Sequence, residues 1–265
     1  MGTAAIPMLR QGAGEPLVLL HGITGSARMW ADVVPLLADR HDLVAPTALG
    51  HRGGRPAERR PARIAHVADD IERLLDELGF DRPHLAGNSM GGWVALELAR
   101  RGRARSVCAL SPAGCWLDEG DGDQGHASGT LRRVIAMTRL GRPTLPITSR
   151  IPLVRRFALA DTAAHGERVS PAMLLGLADD LLGCTVHDDL LSTDERLAPL
   201  DPVPCPITIA WAERDRILPL RSDGANARKL VPGAEFKVLP GVGHVPMLDD
   251  PKLVAETILA VTGAA

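Results

Sequence analysis

Short runs of branched apolar residues alternate along this chain with longer stretches in which apolar residues recur every three or four positions. The first kind of run predicts strands buried on both faces, and the second predicts amphipathic helices. Strands are predicted at residues 17–20, 42–45, 84–86, 105–110, 206–211 and 235–239. Between the second and third of these, Ile64, Val67, Ile71, Leu74, Leu75 and Leu78 recur with helical period, and Gly79 then supplies a stop. Regular alternation of strand and helix requires crossover connections, so the expected architecture is α/β, with a mostly parallel twisted sheet flanked by helices. Ahead of residue 17 the pattern leaves little more than an edge strand at residues 6–10.

The alternation breaks between about residues 117 and 200. That stretch opens with an Asp/Gly-rich loop at 118–129 and continues with short helix signals. Leu131, Val134, Ile135 and Thr138 fall on one helical face, Ser170-Pro171 reads as a cap and first turn, and Ser192 to Glu195 reads as a capping box. The expected organisation is a core formed by residues 1–116 and 201–265, with a helical cap at 117–200 inserted after the strand at 105–110.

The chemistry begins at Gly87-Asn88-Ser89-Met90-Gly91-Gly92, where the strand at 84–86 gives way to a helical run starting near Trp93. A serine on such a turn has a strained backbone, and a side chain at 87 or 91 would collide with the neighbouring strand or helix, so glycine is needed there. The Ser89 hydroxyl would stand above the sheet edge, with the Met90 amide at the helix N-terminus beside it. Taken alone, the hexapeptide is also compatible with an ordinary glycine-rich turn.

A nucleophilic serine needs a base, an acid and a second oxyanion donor. His244, in Gly241-Val242-Gly243-His244-Val245-Pro246, follows the strand at 235–239 and is placed to take and return the Ser89 proton. Asp215, in Trp211-Ala212-Glu213-Arg214-Asp215, follows the strand at 206–211 and would hold the imidazole tautomer; Glu213 is the competing acid. Asp249 and Asp250 lie beyond the histidine and read as helix-start residues. His21-Gly22-Ile23-Thr24 follows the strand at 17–20, and there the Ile23 amide would face that of Met90. Each candidate lies at the carboxyl end of a strand, where ligands bind in sheets of this type.

With His21-Gly22, Gly87 to Gly92, Trp211 to Asp215 and Gly243-His244 in serine, acid, histidine order, the chain resembles the α/β-hydrolase superfamily. The likeness covers everything except the middle segment. It implies the α/β-hydrolase fold and a Ser89-His244-Asp215 mechanism, with Ile23 and Met90 as the oxyanion hole, and requires no metal or organic cofactor. It also implies a cap that roofs the pocket, so Met137, Leu140, Phe157, Met173 and Leu177 become candidate lining residues alongside His21, Asn88 and Val245. Residues at helical spacing are equally suited to packing inside the cap. A carboxylic ester, thioester or lactone, cleaved through an acyl-enzyme, is the expected substrate.

Three other readings stay open. The elbow is similar to that of the meta-cleavage product hydrolases, which cleave carbon-carbon bonds, although those carry a glycine-rich HGGGPG-like loop and usually a tryptophan after the histidine. Here the corresponding residues are His21-Gly22-Ile23-Thr24 and Val245. Cofactor-free perhydrolase chemistry could use the same triad, and a ligand-binding protein could keep the fold without turnover.

Composition narrows the partners. Thirty basic and thirty-two acidic residues give a formal charge of -2, which offers no electrostatic case for nucleic acid. No run approaches 18 apolar residues and the first residues lack a signal-peptide pattern, so a cytoplasmic protein without membrane partners, monomeric or homodimeric, is expected. Cys108, Cys115, Cys184 and Cys205 have no metal-ligand spacing and are expected to be free thiols. Four tryptophans, three phenylalanines and no tyrosine argue against a pocket of stacked rings and favour an aliphatic or small polar acyl group. The loop at 49–63 carries Arg52, Arg55, Arg59, Arg60 and Arg63; it reads either as a solvated loop or as a source of one arginine for a substrate carboxylate.

Overall fold

A computed structural model describes residues 2–116 and 122–264. Seven strands form one sheet: β1 (Met8–Gln11), β2 (Glu15–Leu20), β3 (His41–Pro46), β4 (His84–Asn88), β5 (Ser106–Leu110), β6 (Ile207–Ala212) and β7 (Glu235–Leu239). Their spatial order is β1-β3-β2-β4-β5-β6-β7. β1 pairs antiparallel with β3, Met8 opposite Pro46, and every other pairing is parallel. All six strands predicted beyond residue 17 are therefore present, and the short edge strand at the start of the chain closes one side of the sheet.

Burial on both faces follows from the strand sequences. In β2, Val18 and Leu20 enter one core with Leu85, Val107 and Ile209, while Leu17 and Leu19 enter the opposite core with Leu43, Ala86 and Leu110. Period-two alternation on a sheet covered from both sides converts a plain apolar run into two cores. On the first face lie α2 (Ile64–Leu78) and α3 (Met90–Arg100), which pack against each other. α2 buries Ile64, Val67, Ala68, Ile71 and Leu75, and ends at Gly79 with φ 72°, a left-handed conformation that glycine adopts without a Cβ clash. The other face carries α1 (Val34–Leu37) and α11 (Pro251–Thr262), which contact one another.

Between β5 and β6 the chain runs through α4 (Gly122–Gly141), α5 (Leu145–Thr148), α6 (Pro152–Ala158), α7 (Pro171–Leu182) and α8 (His187–Leu191). Ser170 caps α7 by accepting the Met173 amide at 3.1 Å, with Pro171 in the first turn, as its sequence indicates. Two expectations for this insertion are corrected. The loop expected at 118–129 begins in residues 118–121, outside the described part, but Gly122 onward is already helix. Burial of Ala127 and Ile135, with Leu131 partly buried, holds a face that outweighs the cost of Gly125 and Gly129, about 1 kcal/mol each. Residues 192–195 do not open a helix; the Glu195 carboxylate instead accepts the Ile64 and Ala65 amides and so caps α2 from a distance.

The insertion is fastened to the core by two neighbouring carboxylates on α7. Asp180, fully buried, accepts Ser26 Oγ at 2.6 Å, Arg28 Nε at 2.9 Å and Arg52 Nη1 at 2.9 Å. Asp179 accepts the Thr3 amide and hydroxyl and Arg142 Nε, and these partners hold its carboxyl down at about 2 despite partial burial. Downstream, α9 (Ala225–Leu230) precedes β7, and α10 (Pro246–Asp249) leads into α11, whose first turn is capped by Asp250 through the Leu253 amide.

Candidate active site

Ser89 occupies the turn between β4 and α3 with φ 54° and ψ -117°, an unfavourable conformation for a residue with a side chain. Tertiary contacts impose it. A Cβ on Gly87 would lie 2.2 Å from the Gly91 carbonyl oxygen, and a Cβ on Gly91 would lie 2.2 Å from that of Leu20, so neither position has room for a side chain. Met90 is the first residue of α3, and its amide therefore has no acceptor within the helix. Across the turn, a Cβ on Gly22 would come within 3.3 Å of Ser89 Cβ, which places the loop after β2 directly against the serine. Thr24 in that loop also has positive φ, 63°.

His244 and Asp215 meet in the interior. Asp215 Oδ2 lies 2.8 Å from His244 Nδ1, and both residues are more than nine-tenths buried. The other carboxylate oxygen, Oδ1, accepts the amides of Ile217 and Leu218 at 3.0 and 2.8 Å. With every oxygen in use, the carboxylate cannot rotate away from the imidazole. Glu213 is engaged elsewhere: it is exposed, and its Oε2 accepts the Gly241 amide at 2.7 Å.

His21, Asn88 and Val245 are brought close to this centre but face inward. Ala48 donates its amide to His21 Nε2 at 2.9 Å, so the ring proton sits on Nδ1 and is donated to the Gly22 carbonyl at 2.7 Å. Burial lowers His21 to about 4 and keeps it neutral, and His51, edge-on to it at 4.9 Å, is lowered to about 3 by burial and by His21. Asn88 is wholly buried and donates to the carbonyls of Leu110 and His244, joining the end of β4 to β5 and to the loop that carries His244. Val245 belongs to the core under the opposite sheet face, and its amide donates to Thr162.

An open cleft lies over Ser89. Ile23, Met90, Trp93 and Ala113 form its floor, α4 contributes Ala127, Ser128 and Leu131, α8 contributes Leu190 and Leu191, and Ile64, Trp116, Ile217 and Leu218 complete the wall. Met137, Leu140 and Phe157 are not part of it. All three are exposed, Met137 and Leu140 because the face of α4 that turns inward runs through Leu131 and Ile135, and Phe157 on α6. Met173 and Leu177 pack within the insertion's own cluster around Leu159 and Leu174. Two of the four tryptophans do line the cleft, Trp93 and Trp116 packed edge to face at 5.7 Å, so the low aromatic content does not keep rings out of the pocket.

Four of the five loop arginines are already paired, Arg52 with Asp180, Arg55 with Asp70 and Glu77, Arg60 with Asp189, and Arg63 with Asp194, and Arg59 is exposed and does not line the cleft. All four cysteines are free and buried; burial pushes Cys108 up to about 12, which keeps that thiol protonated and unreactive. Among the described residues no cluster of histidine, cysteine and carboxylate side chains could hold a metal ion. One contributor has no distinctive sequence signal. Asp249, which reads from sequence as a helix-start residue, accepts the amides of Gly243, Ala164 and His165 at 2.7, 2.9 and 2.7 Å and so joins the insertion to the loop carrying His244.

Comparison with known proteins places the chain by family and fold. The chain is 37% identical over 205 residues to epoxide hydrolase EphH of Mycobacterium tuberculosis, an alignment covering 73% of this chain and 92% of that protein. Among solved structures, a thermophilic esterase from Thermogutta terrifontis superposes with a TM-score of 0.67 at 24% identity, covering 96% of this chain and 91% of the esterase. The 2-hydroxy-6-oxo-6-phenylhexa-2,4-dienoate hydrolase of Rhodococcus sp. strain RHA1 superposes with a TM-score of 0.74 at 22% identity, covering 97% and 94%. At those identities the two structures establish a shared fold. The family model for the alpha/beta hydrolase family matches residues 17–257, and the chain belongs to that family.

Proposed function

We propose that this chain is a serine hydrolase that cleaves an ester, thioester or lactone through an acyl-enzyme formed on Ser89. The observation that carries the reading is the pairing of a strained serine under an open cleft with a buried His244–Asp215 hydrogen bond of 2.8 Å. In this reading Ser89 attacks the carbonyl carbon while His244 takes its proton, and the imidazolium is stabilised by Asp215. The amides of Met90 and Ile23 hold the oxyanion. His244 returns the proton to the leaving group, then activates the water that releases the acid.

The identity of the nucleophile separates this from epoxide opening. A serine oxygen attacking an epoxide carbon would leave an alkyl ether, which has no carbonyl for water to attack, so the enzyme would be trapped after one event. Acyl transfer gives an ester that the same base can hydrolyse. The cleft wall is apolar except for Ser89 and Ser128, which favours an aliphatic acyl chain. Each methylene buried there is worth about 0.8 kcal/mol, close to fourfold in kcat/KM until the cleft is full.

The test combines a fluorophosphonate probe with 4-nitrophenyl esters of increasing chain length, an epoxide and a dienone acid. Labelling of the native chain, lost in Ser89→Ala and His244→Ala, and turnover of esters alone are expected. Undiminished labelling in Ser89→Ala, or steady turnover of the epoxide or dienone without esters, would overturn the proposal.

A further inference from the structure

Between α4 and α6 the insertion exposes a series of apolar and basic side chains for which the proposed reaction has no use. Six of the nine exposed large hydrophobic side chains of the described residues are Met137, Leu140, Ile147, Ile151, Leu153 and Phe157. Leu140 is 77% exposed and Phe157 72%. Met137 and Leu140 stand three apart on α4, and Leu153 and Phe157 four apart on α6, so each helix presents its pair on one face. Between residues 131 and 160 there are seven arginines and no aspartate, glutamate or lysine, in a chain whose formal charge is -2. Arg139, Arg150 and Arg156 fall in the same stretch of sequence, are exposed and have no ion pair among the described residues.

We propose that this face docks on the surface of a bilayer leaflet containing anionic lipid, with the apolar side chains entering the headgroup boundary and the arginines meeting lipid phosphates. A second copy is a poorer occupant, because a symmetric contact would set arginine against arginine. Nucleic acid or an acidic protein would satisfy the charge, but a phosphate backbone or a run of carboxylates gives six long apolar side chains nothing to bury against. No described helix is long and apolar enough to cross a membrane, so the contact is peripheral. The expectation of no membrane partner rests on apolar run length and the missing signal-peptide pattern, and neither registers exposed side chains presented by short helices.

The location gives the contact a use. The helix that presents Met137 and Leu140 also lines the cleft through Ala127, Ser128 and Leu131, so cleft and patch share one element and are separated by about 14 Å along it. The docking proposal does not depend on the chemistry assigned to Ser89, and it fails or stands separately.

The experiment is flotation of the full chain with phosphatidylcholine vesicles and with vesicles containing three parts in ten phosphatidylglycerol. Binding to the anionic vesicles is expected, weakening as salt rises. The triple change Arg139→Gln, Arg150→Gln, Arg156→Gln should lower the partition coefficient about a hundredfold. Phe157→Ser with Leu140→Ser should lower it at least tenfold, and both variants should keep the circular dichroism spectrum and melting temperature of the native chain. Absence of vesicle binding in the native chain overturns the proposal, as does retention on heparin or dimerisation through this face without vesicle binding. Equal binding by the native chain and both variants would also overturn it.

Discussion

Replacing Asp215 with asparagine separates the electrostatic role of this carboxylate from its shape. Oδ1 accepts two backbone amides, from Ile217 and Leu218, and Oδ2 faces His244 Nδ1 at 2.8 Å. An asparagine there has one oxygen and one NH2, and the two donating amides decide which goes where. Turning the NH2 toward Ile217 and Leu218 would set donors against donors and leave buried groups unsatisfied, at about 1–3 kcal/mol each. The oxygen therefore stays on the amides and the NH2 points at His244. Nδ1 must then act as acceptor, the ring proton moves to Nε2, and the imidazole can no longer take a proton from Ser89. The expected loss is about ten-thousand-fold in kcat, close to 5.5 kcal/mol of transition-state stabilisation, with KM little changed. Stopped-flow and steady-state hydrolysis of a 4-nitrophenyl ester would measure it, with Glu213→Gln as control; that residue holds only the exposed Gly241 amide and should lose less than about fivefold. A loss under tenfold in Asp215→Asn, or a greater loss in Glu213→Gln, would refute the assignment of the acid.

Three further outcomes are expected. His21 and His51 are lowered by burial to about 4 and about 3, so below pH 6.5 the unfolded chain binds protons that the folded chain refuses, and stability present above 6.5 is lost as pH falls. By pH 5 the two together should contribute about 4 kcal/mol to the loss read by urea unfolding, with His84, also lowered to about 4 by burial, adding to it, and His51→Leu should remove about 2 kcal/mol of that loss; an unchanged slope would contradict the assignment. Gly91→Ala places a Cβ 2.2 Å from a backbone oxygen and should cost about 3 kcal/mol or more, whereas Gly125→Ala, with nothing within 4 Å, should stabilise by about 1 kcal/mol; thermal melts of the pair would expose a wrong geometry at the elbow if their order were reversed. Asp249→Ala strands three amides and should lose several kcal/mol of stability and at least tenfold in kcat, while Asp249→Asn keeps one acceptor oxygen and should fall between; equal activity in all three forms would show that the insertion and the His244 loop are not coupled there.

Much of the fold was legible because two-sided burial leaves a strong mark. Leu17 to Leu20 could only be a strand between two cores, and Ile64 to Leu78 could only be a helix with one buried stripe. The elbow was equally readable, since the crowding that forces glycine at 87 and 91 is local to a six-residue turn. The cleft was not. Whether Leu131 or Met137 turns inward depends on how α4 sits over the sheet, and a sequence with apolar residues on both faces of that helix does not fix its rotation. Glu195 and Asp249 were misread for a different reason. Both serve amides far along the chain, from Ile64 and Ala65 in one case and Ala164 and His165 in the other, while local pattern assigns a carboxylate to the nearest helix.

Those distant acceptors explain how three remote segments hold one geometry. Ser89 and Thr24 sit at positive φ, each at a cost of about 1–3 kcal/mol that the surrounding structure must offset. Around them, Asn88 ties β4 to the His244 carbonyl, Asp215 ties the histidine to the loop after β6, and Asp180 ties α7 to Ser26 and Arg28 beside the loop facing Ser89. In each case a short, buried polar side chain bridges two segments, so a shift of either segment leaves a donor or acceptor unpaired in a low-dielectric interior. Apolar packing alone would let the strained turns relax by small sliding movements, because it has no directional preference. Fixed hydrogen-bond directions remove that freedom, which the proposed reaction requires, because His244 can take the Ser89 proton only from within hydrogen-bond reach.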